Sequence, residues 1–354
     1  MTSADNAIGR RVSVKNARIA GVMACVPSTV VRNIKFNNSF TTSEIEDVVK
    51  IIGVQERRWV DSETSAGDLC FAAAEKLLFE LDWGANSIDA IIFVSQTPDF
   101  RLPATACGLQ SRLGVSSACI AFDINLGCSG YPYALWLGTT MIQSGAARRV
   151  LLAVGDTISK LVDGTDRSTA LLFGDAGTVT ALEYADDVNS SHFVLGTNGA
   201  GSSNLIVPHG AFKNSSLESD TRFDGKNASC LFMDGGEIFN FTLRTIPALV
   251  SSALDYSGST VDSCDYFLFH QANLFMLKHL GKKLKLPEEK FPLNIQDYGN
   301  TSCASIPLLM ATNLSHQLKN ESNLMAMFGF GVGYSWASAV ISVGPLRSAG
   351  VIEL

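Results

Sequence analysis

Phe122-Asp123-Ile124-Asn125-Leu126-Gly127-Cys128-Ser129-Gly130 joins an apolar run to a helical pattern through a cysteine set beside two glycines. Ala118 to Ile124 reads as a strand and Ser129 to Ser144 as a helix, so Cys128 falls on the turn between them. Unpaired backbone N–H groups and the helix dipole stabilise a thiolate at such a place. Gly127 and Gly130 leave room for a substrate beside the sulfur, and Pro132 is tolerated because first-turn N–H groups have no intrahelical partner. A cysteine here is either a nucleophile or a small buried hydrophobe, and the segment alone leaves both open.

The surrounding chain repeats the alternation of strand and helix. Ile88 to Val94, Ala118 to Ile124, Val150 to Val154 and Thr178 to Leu182 are read as apolar runs without alternation, as in strands covered on both faces. Thr41-x-x-Glu44 and Ser43-x-x-Glu46 are capping boxes that open a helix running to Ile52, with Gly53 as its cap. Further helices are expected over Ser65 to Leu81 and Cys107 to Leu113. A buried, mixed α/β sheet follows from this order. From about Ala185 to Gly225 the chain turns polar, and beyond it the style recurs: a helix over Ile238 to Tyr256, then strands at Tyr266 to Phe269, Leu324 to Phe328 and Ser338 to Val343. The reading is a polar, poorly anchored extension over 1–16 and two halves, 17–185 and 186–354, of one style without a visible sequence repeat.

Hydrophobic residues make up 46% of the 354 and charged residues 17%, which fits a compact fold with much enclosed surface. A net charge of −7 argues against a general nucleic-acid binder, which needs concentrated Lys and Arg. No apolar stretch is long enough for a signal peptide or membrane span, so a cytoplasmic protein is expected. The eight cysteines form no C-x-x-C pair, which suggests neither a disulfide framework nor a zinc site; no metal and no cofactor is expected.

Two more polar residues sit on similar turns. Tyr266-Phe267-Leu268-Phe269-His270-Gln271-Ala272-Asn273 delivers a histidine from an apolar strand to a helix start, where a neutral imidazole can donate into a dry pocket. Tyr298-Gly299-Asn300-Thr301-Ser302 precedes a helix through Ile306 and Leu308, although an Asn beside Gly is by itself an ordinary turn residue. Near the C-terminus, Phe328-Gly329-Phe330-Gly331-Val332-Gly333 lacks the Lys-Ser/Thr of a phosphate loop. Such a loop can instead bring backbone N–H groups to a carbonyl oxygen.

Together with Ala17-Arg18-Ile19-Ala20-Gly21, Gly53-Val54-Gln55-Glu56-Arg57-Arg58, Pro103-Ala104-Thr105-Ala106 and Phe173-Gly174-Asp175-Ala176-Gly177, these segments resemble the β-ketoacyl-[acyl-carrier-protein] synthase III family of the thiolase superfamily, from about Ala17 to the C-terminus. The resemblance implies a five-layered αβαβα thiolase fold of two similar halves and a homodimer in which a residue near Ala104 to Cys107 lines the neighbour's pocket. It implies decarboxylative condensation of an acyl thioester with a malonyl-acyl-carrier-protein extender, the acyl group being held on Cys128. In that scheme His270 and Asn300 hold the extender's thioester oxygen, and the N–H groups of Cys128 and Val332 form the oxyanion hole. Gly331, Gly333, Phe232 and Phe275 are the expected substrate-binding residues.

The pattern also breaks. Where synthases primed from acyl-CoA usually carry a Trp and an Arg, this chain has Asp47 and Ile51; the family's H-Q-A-N-x-R loses its Arg to Phe275, and a Lys of the carrier-docking face is Asn240. CoA is thereby weakened as donor, and carrier recognition falls to residues such as Lys278, Lys282 and Lys283. An acyltransferase passing the Cys128-bound group to an alcohol or amine, a plant-type polyketide synthase and a non-catalytic partner subunit are the alternatives. A papain-like hydrolase, which shares the order Cys, His, Asn, lacks its C-G-x-C-W context here.

Overall fold

The capping residues close their helices as their chemistry requires. In the computed structural model, which describes residues 8–36, 39–213 and 221–354, helix α1 (Thr42–Ile52) starts with a reciprocal Thr41–Glu44 capping box and ends at Gly53 with φ of 78°. Helix α2 (Ala66–Leu81) opens on the equivalent Ser65–Asp68 pair.

The unbroken apolar runs become the interior strands of two sheets. One sheet has the order β15 (Ser348–Glu353), β2 (Ala17–Val26), β8 (Ala176–Tyr184), β7 (Arg149–Asp156), β5 (Ala90–Val94), β6 (Ile120–Ile124). The other runs β1 (Arg10–Val14), β9 (Ser191–Thr197), β14 (Ser335–Val343), β13 (Asn323–Gly331), β12 (Tyr266–Phe269). Short ladders pair β3 (Val30–Arg32) with β4 (Glu56–Arg58) and β10 (Leu205–Ile206) with β11 (Phe232–Met233).

Helices supply the other three layers. α2 and α3 (Thr105–Arg112) cover the outer face of the first sheet, α5 (Gly235–Ser257) and α6 (Leu274–Leu284) that of the second. Between the sheets lie α4 (Gly130–Gln143) and, after the single turn α7 (Ile295–Tyr298), α8 (Ser305–Asn313). Tyr131 and Leu135 of α4 and Ile306 and Leu309 of α8 share one core with Val94 and Leu152 of the first sheet and Met325 and Met327 of the second. This is the αβαβα thiolase arrangement.

Two features depart from the sequence reading. Residues 10–16 are not a loose tail: β1 pairs antiparallel with β9 from Arg10↔Leu195 to Val14↔Ser191, and Val14 is buried. Its inward residues, Val12 and Val14, alternate with Arg11 and Ser13, a period-2 signal too short to stand out in a polar segment. Residues 1–7 of that extension lie outside the described residues. The N-terminal strand thus completes the second sheet while the C-terminal strand β15 completes the first, so the halves interlock. The second departure is β6, which forms an edge and keeps every residue at least partly exposed, unlike the fully buried β5. No helix among the described residues is long and apolar enough to cross a membrane.

Helix α4 can lie close to the first sheet because position 138 has no side chain: a Cβ on Gly138 would stand 2.7 Å from Leu182 Cδ1 and 3.0 Å from Leu152 Cδ2. Gly138→Val is expected to overpack this contact, destabilise the fold by about 1–3 kcal/mol and shift the helix that begins beside Cys128. The denaturation midpoint in urea reads the first effect, and the rate at which Cys128 reacts with iodoacetamide reads the second.

Candidate active site

Three strand-to-helix or turn-to-helix junctions converge where the two sheets face the middle layer. Cys128 follows β6 and precedes α4, His270 follows β12, and Asn300 lies between α7 and α8. All three are nearly closed to solvent, at 8%, 2% and 5% exposure.

The glycine-rich end of β13 runs directly across Cys128. A Cβ on Gly331 would fall 2.7 Å from Cys128 Cβ and 2.9 Å from its sulfur, so only glycine lets the strand pass. The next residue, Val332, directs its N–H at the sulfur, as does Cys128 its own. Burial pushes the thiol up to about 12, with the nearby Asp156 carboxylate adding to the effect, while the Ser302 hydroxyl and those two N–H groups pull the other way. The Cys128 thiol is therefore neutral at rest.

His270 is held through its ring. Nδ1 lies 2.8 Å from the Ser305 hydroxyl, and the imidazole packs edge-on against Phe330 at 5.7 Å between centroids. Burial lowers its pKa to about 3, a shift only partly offset by a hydrogen bond to the Ser302 main chain. The ring is neutral at physiological pH.

Asn300 is clamped on both sides of its backbone. Its N–H donates to the Leu172 carbonyl at 2.9 Å and its carbonyl accepts from Gly174 N–H at 3.1 Å. Gly299 permits this approach: it has φ of 66°, and a Cβ there would meet the Leu172 carbonyl oxygen at 2.5 Å. The side-chain orientation is set as well, since Oδ1 accepts from Ser302 N–H at 2.9 Å and Nδ2 donates to the Ala272 carbonyl at 3.3 Å. One amide proton is left for a ligand.

Ser302 touches all three residues, with its amide on Asn300, its main chain on His270 and its hydroxyl on Cys128. It does so in a left-handed conformation, φ 52°, uncommon outside glycine and held by buried surroundings. Neither Ser302 nor Ser305 stood out as a site residue in the sequence. The GNTS motif contains Ser302, but nothing in a string of letters shows a positive φ.

A cavity of about 500 Å³ opens onto Cys128. Ile158, Leu161, Phe173, Leu205 and Leu231 make its apolar wall; Gln96, Asn125, Ser302, Val332 and Gly333 lie in the wall too. Of the expected substrate-binding residues, Gly333 lines this cavity and Gly331 packs on Cys128. Phe232 and Phe275 do not line it. Phe232 packs against Phe223 at 4.3 Å, and Phe275, 53% exposed, stacks on Phe239 at 5.5 Å on the outer helical layer. An aromatic letter in the sequence does not tell which side of a layer it faces. His270 and Asn300 are not wall residues either and adjoin the cavity through Ser302. No group of three or more His, Cys, Asp or Glu that could hold a metal occurs among the described residues.

Comparison with known proteins places this geometry. Residues 122–199 match the family model of 3-oxoacyl-[acyl-carrier-protein (ACP)] synthase III, and residues 254–343 match the model of its C-terminal part. The β-ketoacyl-[acyl-carrier-protein] synthase III of Streptococcus mutans is 37% identical, the alignment covering 92% of this chain and 99% of that one. A crystal structure of a 3-oxoacyl-(acyl-carrier protein) synthase from Burkholderia xenovorans LB400 is 62% identical, with a TM-score of 0.97 and coverage of 98% and 99%. The priming β-ketosynthase of the R1128 polyketide pathway is 25% identical, with a TM-score of 0.79 and coverage of 94% and 98%. With that identity sustained over nearly the whole chain, and with cysteine, histidine and asparagine brought to one buried cluster, the protein belongs to the 3-oxoacyl-[acyl-carrier-protein] synthase III family of condensing enzymes.

Proposed function

We propose that the chain condenses a Cys128-bound acyl group with a malonyl thioester carried on acyl carrier protein, His270 and Asn300 acting on the extender. The observation that carries these assignments is the single serine, Ser302, that joins the thiol, the imidazole and the amide in one dry cluster.

In the first half-reaction the Cys128 sulfur bonds to the acyl carbon, the donor's C–S bond breaks, and the thiol proton leaves with the donor thiol. The tetrahedral oxyanion is held by the N–H groups of Cys128 and Val332, which already point at the sulfur. In the second, the malonyl C–C bond breaks, CO₂ departs, and the electron pair becomes a thioester enolate. In the tautomer that accepts the Ser305 hydroxyl at Nδ1 and carries its proton on Nε2, Nε2–H together with the free proton of Asn300 Nδ2 stabilises the enolate oxygen. The enolate carbon then attacks the acyl carbon, the acyl C–S bond breaks, and the expelled Cys128 thiolate, disfavoured by burial, takes a proton from solvent to restore the thiol. Neutral donors suit this chemistry, because an acidic imidazolium would quench the carbanion. No cofactor enters the scheme.

The donor is assigned as an acyl-carrier thioester. On α1, Asp47 pairs with Lys50 at 3.3 Å and Ile51 is exposed, so the two positions themselves offer neither an aromatic stack nor a cation to a nucleotide. Exposed Lys278 and Lys282 on the neighbouring α6 supply positive charge for an acidic carrier. The active form is assigned as a homodimer, joined along β6: its edge is free among the described strands, and Phe100, Leu102 and Ile120 beside it are exposed, Leu102 by 78%.

Intact-mass measurement should show wild-type protein gaining the acyl mass from acyl-carrier thioesters faster than from acyl-CoA, and Cys128→Ala gaining none. His270→Ala and Asn300→Ala are expected to acylate yet to release CO₂ from malonyl-carrier protein about 100- to 1,000-fold more slowly. An adduct discharged without CO₂ release would point to an acyltransferase instead.

Acid should destabilise the protein through His270. Its folded pKa is about 3 against 6.5 unfolded, so below pH 6.5 the unfolded chain binds a proton that the folded one refuses. Stability should fall by up to about 1.4 kcal/mol per pH unit on this account, and His270→Gln should flatten the slope of urea midpoints between pH 6.5 and 5. For the dimer, Leu102→Asp combined with Ile120→Lys should halve the mass measured by light scattering.

A further inference from the structure

Gln96 and Asn125 are the two side-chain amides in the wall of the cavity at Cys128, whose other polar residues are Ser202, His209, Ser229 and Ser302. Both lie in the wall of the 500 Å³ cavity that holds Cys128, and both also lie in the wall of an adjoining one of about 250 Å³ lined by Leu126, Tyr133, Thr197 and Ser335. With Val332 and Gly333, which both walls also share, they mark the junction between the two spaces.

The position of Gln96 is fixed from behind. Its N–H donates to the buried Asp156 carboxylate at 2.7 Å, and the flanking Ser95 hydroxyl and Thr97 N–H do so at 2.8 and 3.1 Å. Its side chain reaches over the residue beside the nucleophile, since a Cβ on Gly127 would lie 2.3 Å from Gln96 Oε1. Asn125 approaches from the end of β6, and the contact between the two amides, Nε2 to Oδ1, is 3.5 Å. That is the outer limit for a hydrogen bond, and it is the only side-chain hydrogen bond either amide makes among the described residues. Gln96 is half-buried and Asn125 exposed, and most of their capacity to donate and accept is not spent on protein partners.

A saturated acyl chain filling this junction would strip water from both amides and return nothing. An oxygen on the chain would use them. We infer that Gln96 and Asn125 form a polar subsite for the group loaded on Cys128, and that this group bears a hydroxyl or oxo oxygen close to its thioester end. The inference rests on the acyl-cysteine reading above and adds the class of acyl group to it.

The test uses N-acetylcysteamine thioesters, which take carrier and CoA recognition out of the measurement. Rates of mass gain are compared for butyryl and 3-hydroxybutyryl thioesters with wild-type protein, Gln96→Leu and Asn125→Leu. Wild type should load the 3-hydroxybutyryl group about five- to tenfold faster, as one or two net hydrogen bonds would give, and each leucine variant should bring the ratio to about one or below. The ratio is its own control, because a damaged fold slows both thioesters together. Equal loading by wild type, preference for butyryl, or a ratio that neither variant moves would overturn the inference and leave the acyl-cysteine reading standing. Failure of wild type to load either thioester would overturn that reading, and the inference with it.

Discussion

The structure depends on a close passage of backbone over the Cys128 thiol: the end of β13 crosses it at a distance that a single methyl group on Gly331 would forbid. That passage exists because α4 and α8 are buried between two sheets, so that the helix beginning just after Cys128 and the strands of the second sheet share one core. A cysteine on a surface turn would meet only its own helix. Here the turn is capped from the opposite sheet, and the Val332 N–H arrives beside the Cys128 N–H without any side chain being recruited for the purpose.

Burial then decides the protonation states. The same removal from water that keeps His270 neutral also keeps the thiol neutral, and Asp156 reinforces the latter. That carboxylate is fully enclosed, satisfied by five hydrogen bonds from Ser95, Gln96, Thr97 and Cys303. A buried anion stabilised only by neutral donors is costly, and its return here is geometric: it gathers the 95–97 turn, β7 and the start of the 302–304 turn around the nucleophile.

Much of this was legible in the sequence, for reasons that differ by residue. Thr41 with Glu44, and Gly53, announce their helix because caps act locally. Unbroken apolar runs announce buried strands, and Cys128, His270 and Asn300 each sit where such a run or a Gly turn meets a helix. What escaped is long-range. The pairing of β1 with β9 links residues some 180 positions apart, and the edge position of β6 depends on the order of strands, which periodicity does not encode. Phe232 and Phe275 look like pocket residues until their neighbours are known, and Ser302 looks like any serine until its backbone is seen to be left-handed.

The distribution of familiar and unusual residues has a physical logic. In the scheme proposed above, condensation requires the same neutral donors and the same oxyanion hole whatever acyl group is joined, so the cluster around Ser302 has little freedom to vary. Delivery of the acyl group makes no such demand. Asp47, Ile51 and Phe275 lie on α1 and α6 at the outer surface, where a substitution leaves the core that the middle helices share untouched. Gln96 occupies an intermediate place, with its backbone bound into the Asp156 network and its side chain released toward the cavity. A residue so placed can alter what is bound while the machinery behind it stays fixed, and for that reason the specificity of this enzyme is to be sought at the junction of its two cavities.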